Sequence, residues 1–130
     1  MKKHIHFIIA LITISTGQLQ AQENQQCLQN LSIFAENAKV KNYTAAYEPW
    51  KLVKEECPKL NVAIYSYGER ILKDRLENAT PADKAATEQA LLSLYDDWIT
   101  YFPTKKGVSE VGEILSSKAQ TMIDFKIGST

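Results

Sequence analysis

The chain is predicted to be all-α. Three observations carry that expectation: apolar residues recur at three- and four-residue steps in five segments, helix-capping residues and prolines punctuate the corners, and no stretch alternates apolar with polar at the two-residue period of a strand.

The first segment is a leader. Met1-Lys2-Lys3 is a basic start, Ile5 to Ile14 is an almost unbroken apolar run, and Leu19-Gln20-Ala21 supplies a small residue at the end of a processing site. The run is about half of the ~20 residues a membrane span needs. Residues 1–21 therefore read as a cleaved export signal, and the mature chain is expected to carry no transmembrane segment. Cys27 follows Gln25-Gln26 rather than a small residue, which argues against lipidation.

Residues 22–26 read as a flexible polar lead-in. From Cys27 to Val40, the residues Leu28, Leu31, Phe34, Ala35 and Ala38 trace one helical stripe. Lys41-Asn42 makes a corner, and Asn42 is suited to cap the next helix. That helix runs from Tyr43 to Glu56 with Ala46, Trp50 and Val53 on one face, and Pro58 stops it. Pro49 falls more than a turn inside, so either the helix is kinked or it begins late.

Asn61 caps a third helix over 62–78, with Ile64, Tyr67, Gly68, Ile71 and Leu72 as its buried stripe. Gly68 costs such a helix about 1 kcal/mol relative to alanine, so close approach of a neighbouring helix is the expected gain. Thr80-Pro81 opens a fourth helix with a cap followed by proline. Its core residues are Leu91, Leu94, Tyr95 and Trp98, and Pro103 ends it. Residues 104–108 are a polar loop. A fifth helix over 109–125 has periodic Val111, Ile114, Leu115, Met122 and Ile123, and the tail 127–130 has no pattern.

Composition narrows the function classes. Without residues 1–21 the chain keeps 109 residues, enough for one small domain. Thirteen basic side chains face fifteen acidic ones, a net charge near −2, which leaves no electrostatic footprint for nucleic acid. Both histidines, His4 and His6, lie in the leader. Triad and Cys-His catalysis are thereby excluded from the mature chain, zinc and haem sites are disfavoured, and no cofactor is expected. Cys27 and Cys57 form an even pair in an exported chain. They open one helix and close the next, so a hairpin brings them together, and a loop of this length would contribute roughly 3–4 kcal/mol. The alternative is two separate buried thiols.

Several constellations have plainer readings. Tyr43, Tyr47, Trp50, Tyr95, Trp98, Tyr101 and Phe102 suggest a carbohydrate platform, but their helical spacing favours core packing. Asp96 and Asp97 suggest a carboxylate pair, yet neighbours on a helix diverge by about 100° and cannot share a substrate atom.

With Pro58 as the closing proline of a 34-residue unit, Tyr43, Ala46 and Trp50 fall on the aromatic, small and bulky positions of its second helix. Gly68 then falls on the glycine of the next unit, which Pro103 closes. The arrangement resembles the tetratricopeptide repeat (TPR) family. More narrowly, AKVKNYTAAYEPWKLVKEECP followed by AIYSYGERILK looks like the N-terminal region of exported TPR proteins of Bacteroidota. The first unit departs from the pattern at Asn30, Phe34 and Asn37, as suits a terminal cap. The second carries an insertion near Asn78 to Ala86.

The resemblance implies a short right-handed solenoid of stacked antiparallel hairpins, with unit one over 27–58, unit two over 61–103 and a cap or partial third unit over 109–126. It also implies a non-catalytic scaffold of the periplasm or cell envelope, or secreted from it. The partner would be a peptide or protein held on a concave face. The family's contact positions map to Leu31, Ala35, Ala38 and Lys39, and to Tyr65, Glu69, Leu72 and Lys73, with Tyr65 and Lys73 foremost. The rivals are an N-terminal cap or fragment of a longer solenoid, and a carboxylate-based accessory domain of an enzyme.

Overall fold

The computed structural model describes residues 16–128, with side chains described from Ala21 onward. The apolar leader run and the last two residues lie outside the described residues, so the expected export signal is not visible in its greater part. Five helices follow in order: α1 Thr16–Lys39, α2 Tyr43–Glu56, α3 Ala63–Glu77, α4 Pro81–Tyr101 and α5 Val111–Asp124. A hairpin of two-residue strands, β1 Thr104–Lys105 and β2 Val108–Ser109, separates α4 from α5.

The start of α1 differs from expectation. Residues 22–26, read as a flexible lead-in, continue the helix backwards and are exposed. Gln, Ala and Glu are good helix formers, and nothing between Ala21 and Cys27 interrupts the backbone pattern. At its other end α1 closes in a Schellman turn. Asn42 N–H donates to Asn37 O at 2.8 Å, Lys41 N–H donates to Ala38 O at 3.0 Å, and Lys41 takes φ 59°.

Asn42 then caps α2, its Oδ1 accepting from Ala45 N–H at 3.4 Å. The helix runs through Pro49 from Tyr43 onward, which settles the late-start alternative against it. Ala46, Trp50 and Val53 are buried as the periodicity predicts. In the corner before α3, Asn61 Oδ1 accepts from Ala63 N–H at 2.8 Å, the capping role expected of it. Thr80 and Asp83 form a reciprocal cap on α4. The Thr80 Oγ1 accepts from Asp83 N–H at 3.3 Å and donates to Asp83 Oδ2 at 2.7 Å. Residues 81–86, within the stretch read as an insertion, form the first turns of α4, which runs for 21 residues against 14 in α2.

Helices α1 and α2 pair as a hairpin, as do α3 and α4; α3 packs on both helices of the first pair, and α5 packs chiefly on α4. The core lies between them, made of Phe34, Ala38, Ala46, Trp50, Val53, Ile64, Tyr65, Ile71, Leu72, Leu76, Leu91, Leu94, Tyr95 and Ile114. Trp98, expected in this set, is only half-buried. On α1, Cys27, Phe34 and Ala38 are buried and Leu31 and Ala35 pack half-buried against the core, whereas Leu28 is exposed.

The expected loop at 104–108 is the hairpin. Lys106 and Gly107 both take positive φ, 51° and 79°, the backbone of a two-residue hairpin turn. On α5 only Ile114 and Thr121 are fully buried, while Leu115 and Ile123 stay exposed. A helix with one principal neighbour covers a narrower stripe than its apolar content suggests. Just past α5, Ile127 N–H donates to Met122 O at 2.8 Å and its side chain packs on the core.

Candidate functional site

Cys27 and Cys57 form a disulfide, with Cα atoms 6.4 Å apart. Cys27 is buried on α1 and Cys57 ends α2, so the bridge joins the open end of the first hairpin.

The eight residues read as partner contacts do not share one environment. Tyr65 has no exposed surface. Its ring packs against Trp98 at 6.2 Å, Tyr101 at 6.3 Å and Phe102 at 5.7 Å, and its hydroxyl donates to Pro58 O at 2.9 Å. Burial pushes its phenol well above the ordinary tyrosine value, with Asp97 adding to the shift. Leu72 and Ala38 are buried as well. These three present nothing to a partner, which corrects the expectation for them. Leu31 and Ala35 are half-buried and Lys39 is exposed.

The surface aromatic on α3 is instead Tyr67, placed by periodicity in the core. It is half-buried, meets Phe34 edge-on at 6.5 Å, and carries the Arg70 guanidinium 5.5 Å from its ring centre. Residues 65 and 67 lie about 200° apart around a helix, so they face different neighbours, Tyr65 the end of α4 and Tyr67 Phe34 of α1. Because α3 also packs on α4, the inward side includes Tyr65. Three neighbours widen a helix's buried stripe, and sequence periodicity does not report the number of neighbours.

Charge on the α1 and α3 surfaces is largely paired. Lys39 meets Glu36 at 2.7 Å, and that hydrogen bond and charge hold its ammonium above the ordinary value. Lys73 meets Glu69 at 2.6 Å. Glu69 also accepts from the Tyr95 hydroxyl at 2.8 Å, and that hydroxyl lies 2.7 Å from Thr121 Oγ1. A hydrogen-bonded chain thus runs from the surface lysine through α4 to buried Thr121 on α5. Periodicity places Tyr95 on the core face, but the bond from its hydroxyl to Glu69 escapes such a search, which marks apolar faces and not polar links across helices.

Asp96 and Asp97 diverge as expected of helix neighbours. Asp96 meets Lys118 of α5 at 2.6 Å and Asp97 meets Lys54 of α2 at 2.9 Å. Among the described residues no group of three or more His, Cys, Asp or Glu side chains is placed to hold a metal ion, and no helix is long and apolar enough to cross a membrane.

No family model, curated protein or solved structure matches the chain.

Proposed function

We propose that this chain is a non-catalytic, TPR-like interaction module of the cell envelope, which binds a peptide or protein partner on the face that α1 and α3 share. The observation that carries this reading is the side chains left on that face. Leu31 and Ala35 provide partly exposed apolar surface on α1, while Tyr67, Arg70 and Lys73 provide an aromatic ring and two cations on α3. Tyrosine and arginine are the residue types that most often anchor interfaces. The order of helix pairing, the tight Gly68 contact and a disulfide compatible with an oxidising compartment support the family and the location.

The test is site-specific photocrosslinking from position 35 in envelope fractions, comparing the wild type with Tyr67→Ala combined with Lys73→Glu. Loss of the crosslinked species in the double variant is the expected result. Undiminished capture of the same species would remove the α1/α3 face from consideration.

A second reading, the N-terminal cap of a longer solenoid, draws on exposed Leu115 and Ile123 of α5. An in-frame continuation past Thr130 in the genomic sequence would favour it.

A further inference from the structure

Beside the α1/α3 face, the first turn of α3, the end of α4 and the hairpin enclose a groove of about 320 Å³. Its apolar lining is Trp98 and Phe102 of the α4 end, with Val62 beside them. Both rings rest on buried Tyr65, which supports them from below. Ser66, Thr104, Lys105 and Glu110 complete the lining, and their side chains make no hydrogen bond or ion pair with other described residues. An apolar slot with a few unpartnered polar groups converging on it is the usual form of a binding site.

The hairpin adds an independent feature. Glu110 N–H donates to Pro103 O at 2.8 Å, and Thr104 is the next residue of β1, paired with Ser109. Hydrogen-bonded and non-hydrogen-bonded pairs alternate in an antiparallel ladder, so the backbone N–H and C=O of Thr104 point away from β2. They form an unpaired strand edge whose two residues line the groove. An unpaired edge recruits extended backbone.

We propose that this groove binds an extended peptide that pairs with Thr104 and inserts a bulky aliphatic side chain against Trp98 and Phe102. Residues two positions either side of that side chain point to the same face of a strand. There the unpaired Lys105 ammonium and Glu110 carboxylate select an acidic residue on one flank and a basic residue on the other. A sugar is disfavoured because the lining is mainly apolar and lacks the dense set of hydrogen-bonding groups that its hydroxyls require. The site adjoins the α1/α3 face only through Ser66; the rest of its lining comes from Val62, the end of α4 and the hairpin.

The experiment uses the oxidised mature protein labelled with ¹⁵N. Trp98 and Trp50 give separate indole signals, and Trp50 is shielded by its bond to Ile64 O. The probes are acetyl-Asp-Thr-Leu-Thr-Lys-amide, its charge-reversed counterpart, the same two with glycine for leucine, and diacetylchitobiose. One leucine peptide at millimolar concentration should shift the Trp98 indole signal and leave that of Trp50 in place; its glycine analogue should not. Val62→Asp and Thr104→Pro should each weaken binding about tenfold, the loss expected for a spoiled apolar contact or one missing backbone bond. Proline suits an edge position whose N–H faces outward, so Thr104→Pro decides the matter should Val62→Asp fail to fold. Tyr67→Ala with Lys73→Glu should leave this binding unchanged, which separates the site from the α1/α3 face. No shift with either leucine peptide, an equal shift with glycine, a shift with the disaccharide alone, or undiminished binding by Thr104→Pro would overturn the proposal.

Discussion

The indole of Trp50 occupies the space that a β-carbon on Gly68 would need. A methyl placed there would lie 2.6 Å from Trp50 Nε1 and 2.8 Å from Cε2. The same Nε1–H donates to Ile64 O at 2.7 Å, one turn before Gly68 on α3. The missing side chain lets α2 and α3 approach closely, and the indole hydrogen bond fixes where they touch.

Gly68→Ala is therefore expected to destabilise the protein by about 1–3 kcal/mol, although alanine favours helix. Urea denaturation measures it. In a Trp50→Phe background the cost should shrink, because the smaller ring yields space; additive losses would show that the two residues are not coupled.

The disulfide supports a second expectation. Cys27→Ser with Cys57→Ser should lower stability by roughly 3–4 kcal/mol, in keeping with a closed loop of about thirty residues. Equal urea midpoints for the oxidised protein and the double variant would contradict it.

Burial raises the phenols of both Tyr65 and Tyr95; for Tyr95, Glu69 raises it further while Thr121 opposes. A folded-state value above the unfolded one means that the unfolded chain loses its proton first as pH rises. The stabilisation is complete below the ordinary tyrosine value near 10 and declines above it. Stability measured in urea should fall between about pH 9.5 and 11.5, and Tyr95→Phe should flatten that fall.

Tyr95→Phe also removes the described partner of buried Thr121 Oγ1. The cost should be about 1–3 kcal/mol, concentrated on α5. Amide exchange there should accelerate more than in α2.

Lys41 sits at φ 59° in the Schellman turn after α1, where glycine is the usual occupant. Lys41→Gly should stabilise the protein by about 0.5–1 kcal/mol, since it relieves a left-handed residue at some entropic cost. A lower melting temperature would refute this.

Much of the helical framework was legible in the sequence. Asn42, Asn61 and Thr80 cap where their side chains suggest, because capping is a local interaction between residues two or three apart. Gly68 announced a close contact, since its cost in a helix has to be offset by packing. Tyr65 and Tyr67 exchanged roles because their environments are set by the number of helices around α3. The hairpin hid in two-residue strands too short for alternation, although Lys106-Gly107 carries a turn signal. The groove beside it joins residues from 62 to 110, a distance in sequence that no periodic pattern spans.

The bridge between Cys27 and Cys57 has a topological consequence. With the turn at 40–42 closing the other end, the backbone from Cys27 to Cys57 forms a covalent ring. A protease that nicks the turn opens the ring but releases neither helix, and two cuts within it are needed to shed a fragment. That redundancy keeps the two helices of the first hairpin joined after a bond in its exposed turn is lost.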